Sequence, residues 1–433
     1  MRTSLQGIAN KARRERRYRF QNLSVMLSEE NLRSCWVLLN KRAACGVDGV
    51  SAQEYEKDLA GNIGRLVEGL KRQYYHAKLV RRRNVPKEGG KSRPLGIPAV
   101  QDKLLQLCVA RILGAIYEQD FLPCSYGYRP GVGARDAVRD LTRELQFVSY
   151  GYVVEADIKS FFDRIDHDWM IRMLEERVDD RRFLRLIRKW LKAGVLEEDG
   201  EVNHPVTGCP QGGIISPLLA NIYLHYALDL WFERVVKPRS RGRAYLCRYA
   251  DDFVCAFEHK SDAEAFYRAL GGRLSKFGLE LSETKTRVVR FSRCDRDNSG
   301  GFEFLGFEYR WGESRSGKPC VKRRTSRRKL RASLQRFREW CKEHRNWRLD
   351  RLFEVLNAKL RGYYNYYGVI GNYASLREFY ERTLQTLFKW LNRRSERRSY
   401  NWDGFRDLLA HFGVERPRIM EHRTAQRVLP GLC

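Results

Sequence analysis

The sequence predicts an α+β fold in which a strand-bearing body is followed by a helical one, and three observations carry that reading. Between Gly151 and about Arg293, β-rich runs alternate with amphipathic segments such as Arg182 to Leu191 and Ser261 to Phe277, without a Gly-rich dinucleotide fingerprint. Two adjacent carboxylates, Asp251 and Asp252, interrupt the apolar runs Ala244 to Ala250 and Phe253 to Phe257. That pattern reads as a β-hairpin carrying both acids at its tip, because Asp tolerates the backbone angles of a tight turn. From about Lys322 the composition shifts. Residues 322 to 348 hold twelve Lys or Arg against two Glu, while Leu330, Leu334, Phe337 and Cys341 recur at helical spacing.

In chain order, Lys11 to Arg19 reads as a basic arm, helical or flexible, either a solvated charge run or a contact for RNA. Ser28 before Glu29 and Glu30 caps a helix whose face is Leu32, Cys35, Trp36 and Leu39. Lys71 to Arg93 is cation-rich with Tyr74, Tyr75 and His76 interleaved, a mixture suited to phosphates and stacked bases. Gly89-Gly-Lys-Ser92 is not a P-loop, since Val85 stands where that motif needs its first glycine. Asp102 to Tyr117 has helical periodicity through Leu105, Val109, Ile112 and Ile116, and the polar stretch Arg310 to Pro319 reads as a linker. Further helices fit Leu349 to Tyr367, with Tyr363, Tyr364 and Tyr367 on a core face, and Leu376 to Leu391.

Lys and Arg exceed Asp and Glu by 82 − 53 = 29, an excess that folding does not require and that suits a polyanionic partner. Eleven scattered cysteines without a Cys-x-x-Cys pair imply reduced thiols, with no zinc module or disulfide framework. No run approaches a membrane span or signal peptide, so a cytoplasmic protein is expected.

Asp157 closes the β-rich run from Gly151. Set beside the hairpin acids, it would complete a three-carboxylate site able to hold two divalent cations about 4 Å apart for in-line phosphoryl transfer. Hard oxygen ligands suit Mg²⁺. Asp163, Asp166 and Asp168 follow closely and read as helix or loop carboxylates.

From about Val25 to Arg310 the chain resembles a reverse transcriptase. The blocks stand in that family's order: Lys91-Ser-Arg93-Pro-Leu-Gly-Ile-Pro98, Tyr126-Gly-Tyr-Arg-Pro130, Asp157 to Asp163, Gly208 to Asn221 around Gln211, Tyr249 to Asp252, Ser282-Glu-Thr-Lys285, and Phe304-Leu-Gly-Phe307. Gly46-Val-Asp-Gly49, Asp163-Arg-Ile-Asp-His167 and Leu360 to Gly368 make it most similar to bacterial group II intron-encoded proteins, the last segment resembling the maturase, or X, domain. The resemblance implies a right-hand polymerase with an antiparallel sheet in fingers and palm and an α-helical thumb and X domain. Residues 1–150 would be amino-terminal extension and fingers, 151–310 the palm, and 311–433 the thumb and X domain with a short tail.

By the same resemblance Asp157, Asp251 and Asp252 are catalytic, and Ile158 joins them as ligands of two Mg²⁺ ions. Lys285 would protonate departing pyrophosphate. Lys91, Arg93, Gln211 and Gly212 would hold the incoming nucleotide, and Phe162 would exclude a ribose 2′-hydroxyl. Leu305 and Gly306 match the primer grip. The implied partners are group II intron RNA, an RNA template with DNA primer, target DNA and dNTPs, with no membrane; the oligomeric state stays open. The implied function is RNA-directed DNA synthesis with splicing assistance and retrohoming. A host-adapted reverse transcriptase in phage defence or repair is an alternative, as is a splicing factor without polymerase activity. No metal-ligand spacing marks an endonuclease module, so the primer would come from a host strand or single-stranded DNA.

Overall fold

The computed structural model describes residues 4–86, 92–294, 300–314, 316–394 and 399–421, so Lys91 lies outside the described residues. The chain divides into two compact units, Met1–Gly133 with Val154–Val288 and Ala134–Val153 with Val289–Cys433.

The first eight strands are β1 (Val80–Pro86), β2 (Ser92–Ile97), β3 (Tyr152–Asp157), β4 (Val195–Leu196), β5 (Val202–Asn203), β6 (Ala244–Tyr249), β7 (Asp252–Phe257) and β8 (Arg287–Arg290). They form two sheets, ordered β2-β1-β4-β5 and β6-β7-β3-β8. β6 and β7 are antiparallel, but β1 runs parallel to β4, so the first sheet is mixed where an antiparallel one was expected. A parallel pair needs a long crossover. Here the chain between Pro86 and Val195 supplies it.

Helix Val100–Tyr117 is the core of this unit, with Leu104, Leu105, Val109, Ile112 and Ile116 all buried. Its polar residues are buried too: Asp102 accepts from the Tyr75 hydroxyl at 2.6 Å and the Lys78 amide at 3.0 Å. Burial pushes the Asp102 carboxyl up to about 6, with those hydrogen bonds opposing. Helix Glu29–Leu38 starts as expected, the Ser28 side chain accepting from Asn31 N, and it buries Leu32, Cys35 and Trp36. The basic arm is the helix Leu5–Arg14 and its sequel, and Lys11, Arg13, Arg16 and Arg19 are engaged within the unit. Arg13 donates to Gln119 and Arg19 to Glu175 O, while Arg177 reaches back to Ala12 O and Glu15 O. The helix beginning at Ser216 runs to Arg239 and contains two π turns, His225–Asp229 and Phe232–Val236.

The second unit holds the antiparallel strands β9 (Phe302–Phe304), β10 (Phe307–Glu313) and β11 (Pro319–Thr325). β10 and the start of β11 therefore occupy the stretch expected to be a linker. Phe307, Tyr309 and Trp311 alternate inward along β10, and the intervening polar residues that suggested a linker are its other face. Helix Ala134–Phe147 lies against this sheet, where Gln146 accepts from Val321 N at 2.7 Å. Helices Arg327–His344, Leu349–Tyr367, Tyr373–Leu391 and Trp402–His411 share one core that includes Leu330, Phe337, Leu356, Tyr364, Leu376 and Phe405. Tyr363 and Tyr364 are buried and Tyr367 partly so, as the face predicted. Leu305 and Gly306 form the two-residue turn between β9 and β10, with φ of 50° and 76°.

All ten cysteines among the described residues are free thiols. Among those residues, no helix is long and apolar enough to cross a membrane.

Candidate active site

The β6–β7 hairpin sets the site. Tyr249 pairs with Asp252, leaving Ala250 and Asp251 as a two-residue turn in which Ala250 has φ 56°. Asp251 is thus at the tip and Asp252 is the first residue of β7. Asp251 lines a cleft of about 330 Å³, and Asp252 is not among its lining residues.

Asp157, at the end of β3, lines the same cleft, as do Ile158, Phe162, Arg93, Gln211, Gly212 and Lys285. Beyond Asp157, Lys159 N donates to Glu280 O and Ser282 N to Asp157 O, closing a bridge between Ile158 and Leu281. In that pattern the peptide groups of Ile158 itself are turned away from Leu281. The Lys285 ammonium donates to Asp157 Oδ2 at 2.6 Å. Ser160 then takes φ 47°, and the chain turns so that Phe161, buried against Tyr223, and Phe162 both line the cleft. Asp163 lines the cleft as well, Asp166 caps helix His167–Glu175 through Trp169 N, and Asp168 pairs with Arg188.

Gly212 has φ 109°, and a Cβ there would lie 2.6 Å from Gly96 O. Glycine is what lets this segment close on β2, where Gly96 N donates to Gln211 O at 2.5 Å.

Behind the hairpin sits Arg248, with no exposed side-chain surface. Every guanidinium N–H has an acceptor. Nε and Nη2 grip Asp229 at 2.7 and 2.5 Å, Nη1 reaches Asn221 Oδ1 and Ala250 O at 3.0 Å each, and Nη2 reaches Ser125 Oγ at 2.7 Å. The Ala250 carbonyl, one peptide before Asp251, is therefore fixed by a buried charge.

Among the described residues, no three His, Cys, Asp or Glu side chains gather into a ready-made metal cage. The oxygen-only donors Asp157 and Asp251 in one cleft still suit Mg²⁺, which is ordinarily held by one or two carboxylates with substrate phosphates and water completing its shell.

Comparison with known proteins decides the lineage. The family described as reverse transcriptase (RNA-dependent DNA polymerase) matches residues 85–309, and the group II intron maturase-specific domain matches residues 330–407. This chain belongs to the group II intron reverse transcriptase and maturase family. Among the relatives of this chain, Protein YkfC of Escherichia coli (strain K12) is 34% identical across 62% of this chain and 78% of its own length. The group II intron-encoded protein LtrA of Lactococcus lactis subsp. cremoris is 31% identical across 73% of this chain and 65% of its own length. The putative COX1/OXI3 intron 1 protein of Saccharomyces cerevisiae is 26% identical across 70% and 44% respectively. The chain thus spans less than two thirds of the length of the latter two.

Sequence reasoning passed over the Arg248 cluster and Tyr128, which also lines the cleft. The first had a signal: an arginine within the apolar run Ala244 to Ala250 must find a buried counter-charge. Nothing in the sequence pointed to Asp229 as that partner.

Proposed function

We propose that this chain is an RNA-directed DNA polymerase of right-hand architecture that binds group II intron RNA, assists its splicing and copies it from a primer at a DNA target. The observation that carries this reading is the single cleft shared by Asp157, Asp251, Phe162, Arg93, Gln211, Gly212 and Lys285, in a chain matching both the polymerase and the maturase families.

Asp157 and Asp251, with the Ile158 carbonyl, would hold two Mg²⁺ ions, and Asp252 supports them from β7. When bound, such ions activate a primer 3′-hydroxyl and stabilise charge on pyrophosphate. Arg93, with Lys91, would take the triphosphate, and the Gln211–Gly212 backbone would lie over the base. Phe162 would block a ribose 2′-hydroxyl while Phe161 fills the core beneath it. Lys285, which donates to Asp157 in this cleft, would transfer its contact to a phosphate and donate a proton to the leaving group. Basic helices of the second unit would grip RNA through its phosphates, which makes affinity fall steeply with salt.

Primer extension on an RNA template with Mg²⁺ and dNTPs tests the polymerase reading, comparing the native chain with Asp251→Ala. Extension by the native chain and its loss in the variant are expected. No extension on several templates would sink the enzyme reading and leave RNA binding.

A further inference from the structure

Tyr128 is a bulky residue in a conformation that glycine would adopt without cost. Its φ is 57°, in the left-handed region that side-chain-bearing residues avoid. The chain on both sides is pinned. Tyr126 N donates to Arg248 O at 2.9 Å, and Asn221 Nδ2 donates to Gly127 O at 2.6 Å. Arg129 donates to Ser125 O at 2.7 Å and pairs with Glu118 at 2.9 Å. Gly127 is pressed against the catalytic hairpin so closely that a Cβ would lie 2.3 Å from Ala250 N.

The segment therefore uses glycine where space demands it, yet places a tyrosine at the adjacent position where backbone geometry favours glycine. Packing does not explain the choice. Tyr128 is 52% exposed, whereas Tyr126 two residues earlier is 7% exposed. Its ring instead lines the cleft with Asp157, Asp251, Phe162 and Arg93. A strained residue that is exposed into a cleft points to a role there.

We infer that Tyr128 is a nucleotide-contacting residue of the polymerase cleft, its ring packing on the sugar or base of a nucleotide at the reacting end. This rests on the polymerase reading above. Aromatic contact of this kind tolerates every base, as template-directed synthesis requires. The nucleotide is either the primer terminus or the incoming dNTP, and both present the same sugar and base chemistry.

Tyr128→Gly separates function from folding, because it removes the ring while relieving the backbone. We expect its Tm to equal or exceed that of the native protein. Its kcat/KM for extension should fall about tenfold or more, and Tyr128→Phe should stay within about threefold of the native chain if stacking carries the contact. A rise in KM for dNTP identifies the incoming nucleotide, and a rise in the dissociation constant for primer–template identifies the primer terminus. Native values of both constants and of kcat in Tyr128→Gly would overturn the inference. So would a lowered Tm with activity per folded molecule unchanged, which marks a structural tyrosine. A native chain that neither extends primers nor binds dNTP and primer–template would remove the polymerase reading, and this inference with it.

Discussion

Replacing Asp229 by alanine should destabilise the first unit far more than a typical point mutation, through the charge it leaves behind. Arg248 and Asp229 have no exposed side-chain surface and share two hydrogen bonds. Breaking such a pair by removing one partner costs about 3–5 kcal/mol, because the surviving charge is buried without compensation. Ser125→Ala removes one acceptor and keeps the pair, so about 1–3 kcal/mol is expected. Asn221 accepts from Arg248 and donates to Gly127 O, so Asn221→Ala should fall between these two. Urea unfolding followed by circular dichroism gives the ranking, read from midpoints at unchanged slope. Primer extension on the fraction that remains folded should also decline, since Nη1 of Arg248 holds the Ala250 carbonyl beside Asp251. A loss below about 1 kcal/mol for Asp229→Ala would refute the reasoning, because it would mean that the guanidinium finds another partner or reaches water.

Phe162→Ala should admit ribonucleotides, with the ratio of dNTP to NTP incorporation falling by about tenfold or more, as expected when a clash of roughly 1–3 kcal/mol is removed; an unchanged ratio would assign Phe162 to packing alone. Gly212→Ala should impair both dNTP affinity and stability, since its φ of 109° and the 2.6 Å approach to Gly96 O leave no room for a methyl group; native KM and Tm would contradict this. Asp102 gives a pH signature. Its carboxyl is raised to about 6 in the fold, so the folded state binds the proton more tightly than the unfolded chain does. Its contribution is therefore full below about pH 4 and lost as pH rises through about 6. The unfolding free energy of the native chain relative to Asp102→Asn should shift in the native chain's favour by about 1–3 kcal/mol between pH 7 and pH 4, and a flat difference would show that Asp102 does not titrate in that window.

Local signals in the sequence were readable where one residue type has one use. Two acids between apolar runs gave the hairpin, and β6 and β7 end and begin within a residue of the predicted turn. Ser28 before two glutamates gave a helix start. Long-range choices were not readable in the same way. Arg310 and Gly312 suggested a linker because their polarity was weighed without the alternation of Phe307, Tyr309 and Trp311, which is the strand signal. The parallel pairing of β1 with β4 joins residues more than a hundred positions apart through two-residue contacts, too short to leave a pattern. At the site, the motifs pointed to Asp157, Asp251, Phe162 and Gln211, which the structure brings to one cleft. They also placed Asp251 and Asp252 together at the tip, whereas the turn is Ala250–Asp251 and Asp252 is the first residue of β7. Tyr128 stood in the block Tyr126 to Pro130 without an assigned role, because left-handed backbone at a tyrosine leaves no mark on composition.

The π turns of the helix from Ser216 to Arg239 matter for how this lineage tolerates insertions and deletions. Each accommodates a surplus residue within an otherwise continuous helix, and the first contains Asp229. Deleting one residue from His225–Asp229 would restore ordinary helical winding and leave everything downstream close to its present bearing, because the π turn absorbs the extra residue locally. The same deletion from the ordinary helix Ser216–Leu224 would instead rotate Asp229 and Phe232 by about 100°, and Arg248 would face a different side chain. The reading frame of this helix, counted in single residues, is thus as much a part of the β6–β7 hairpin's support as any of the side chains that touch it.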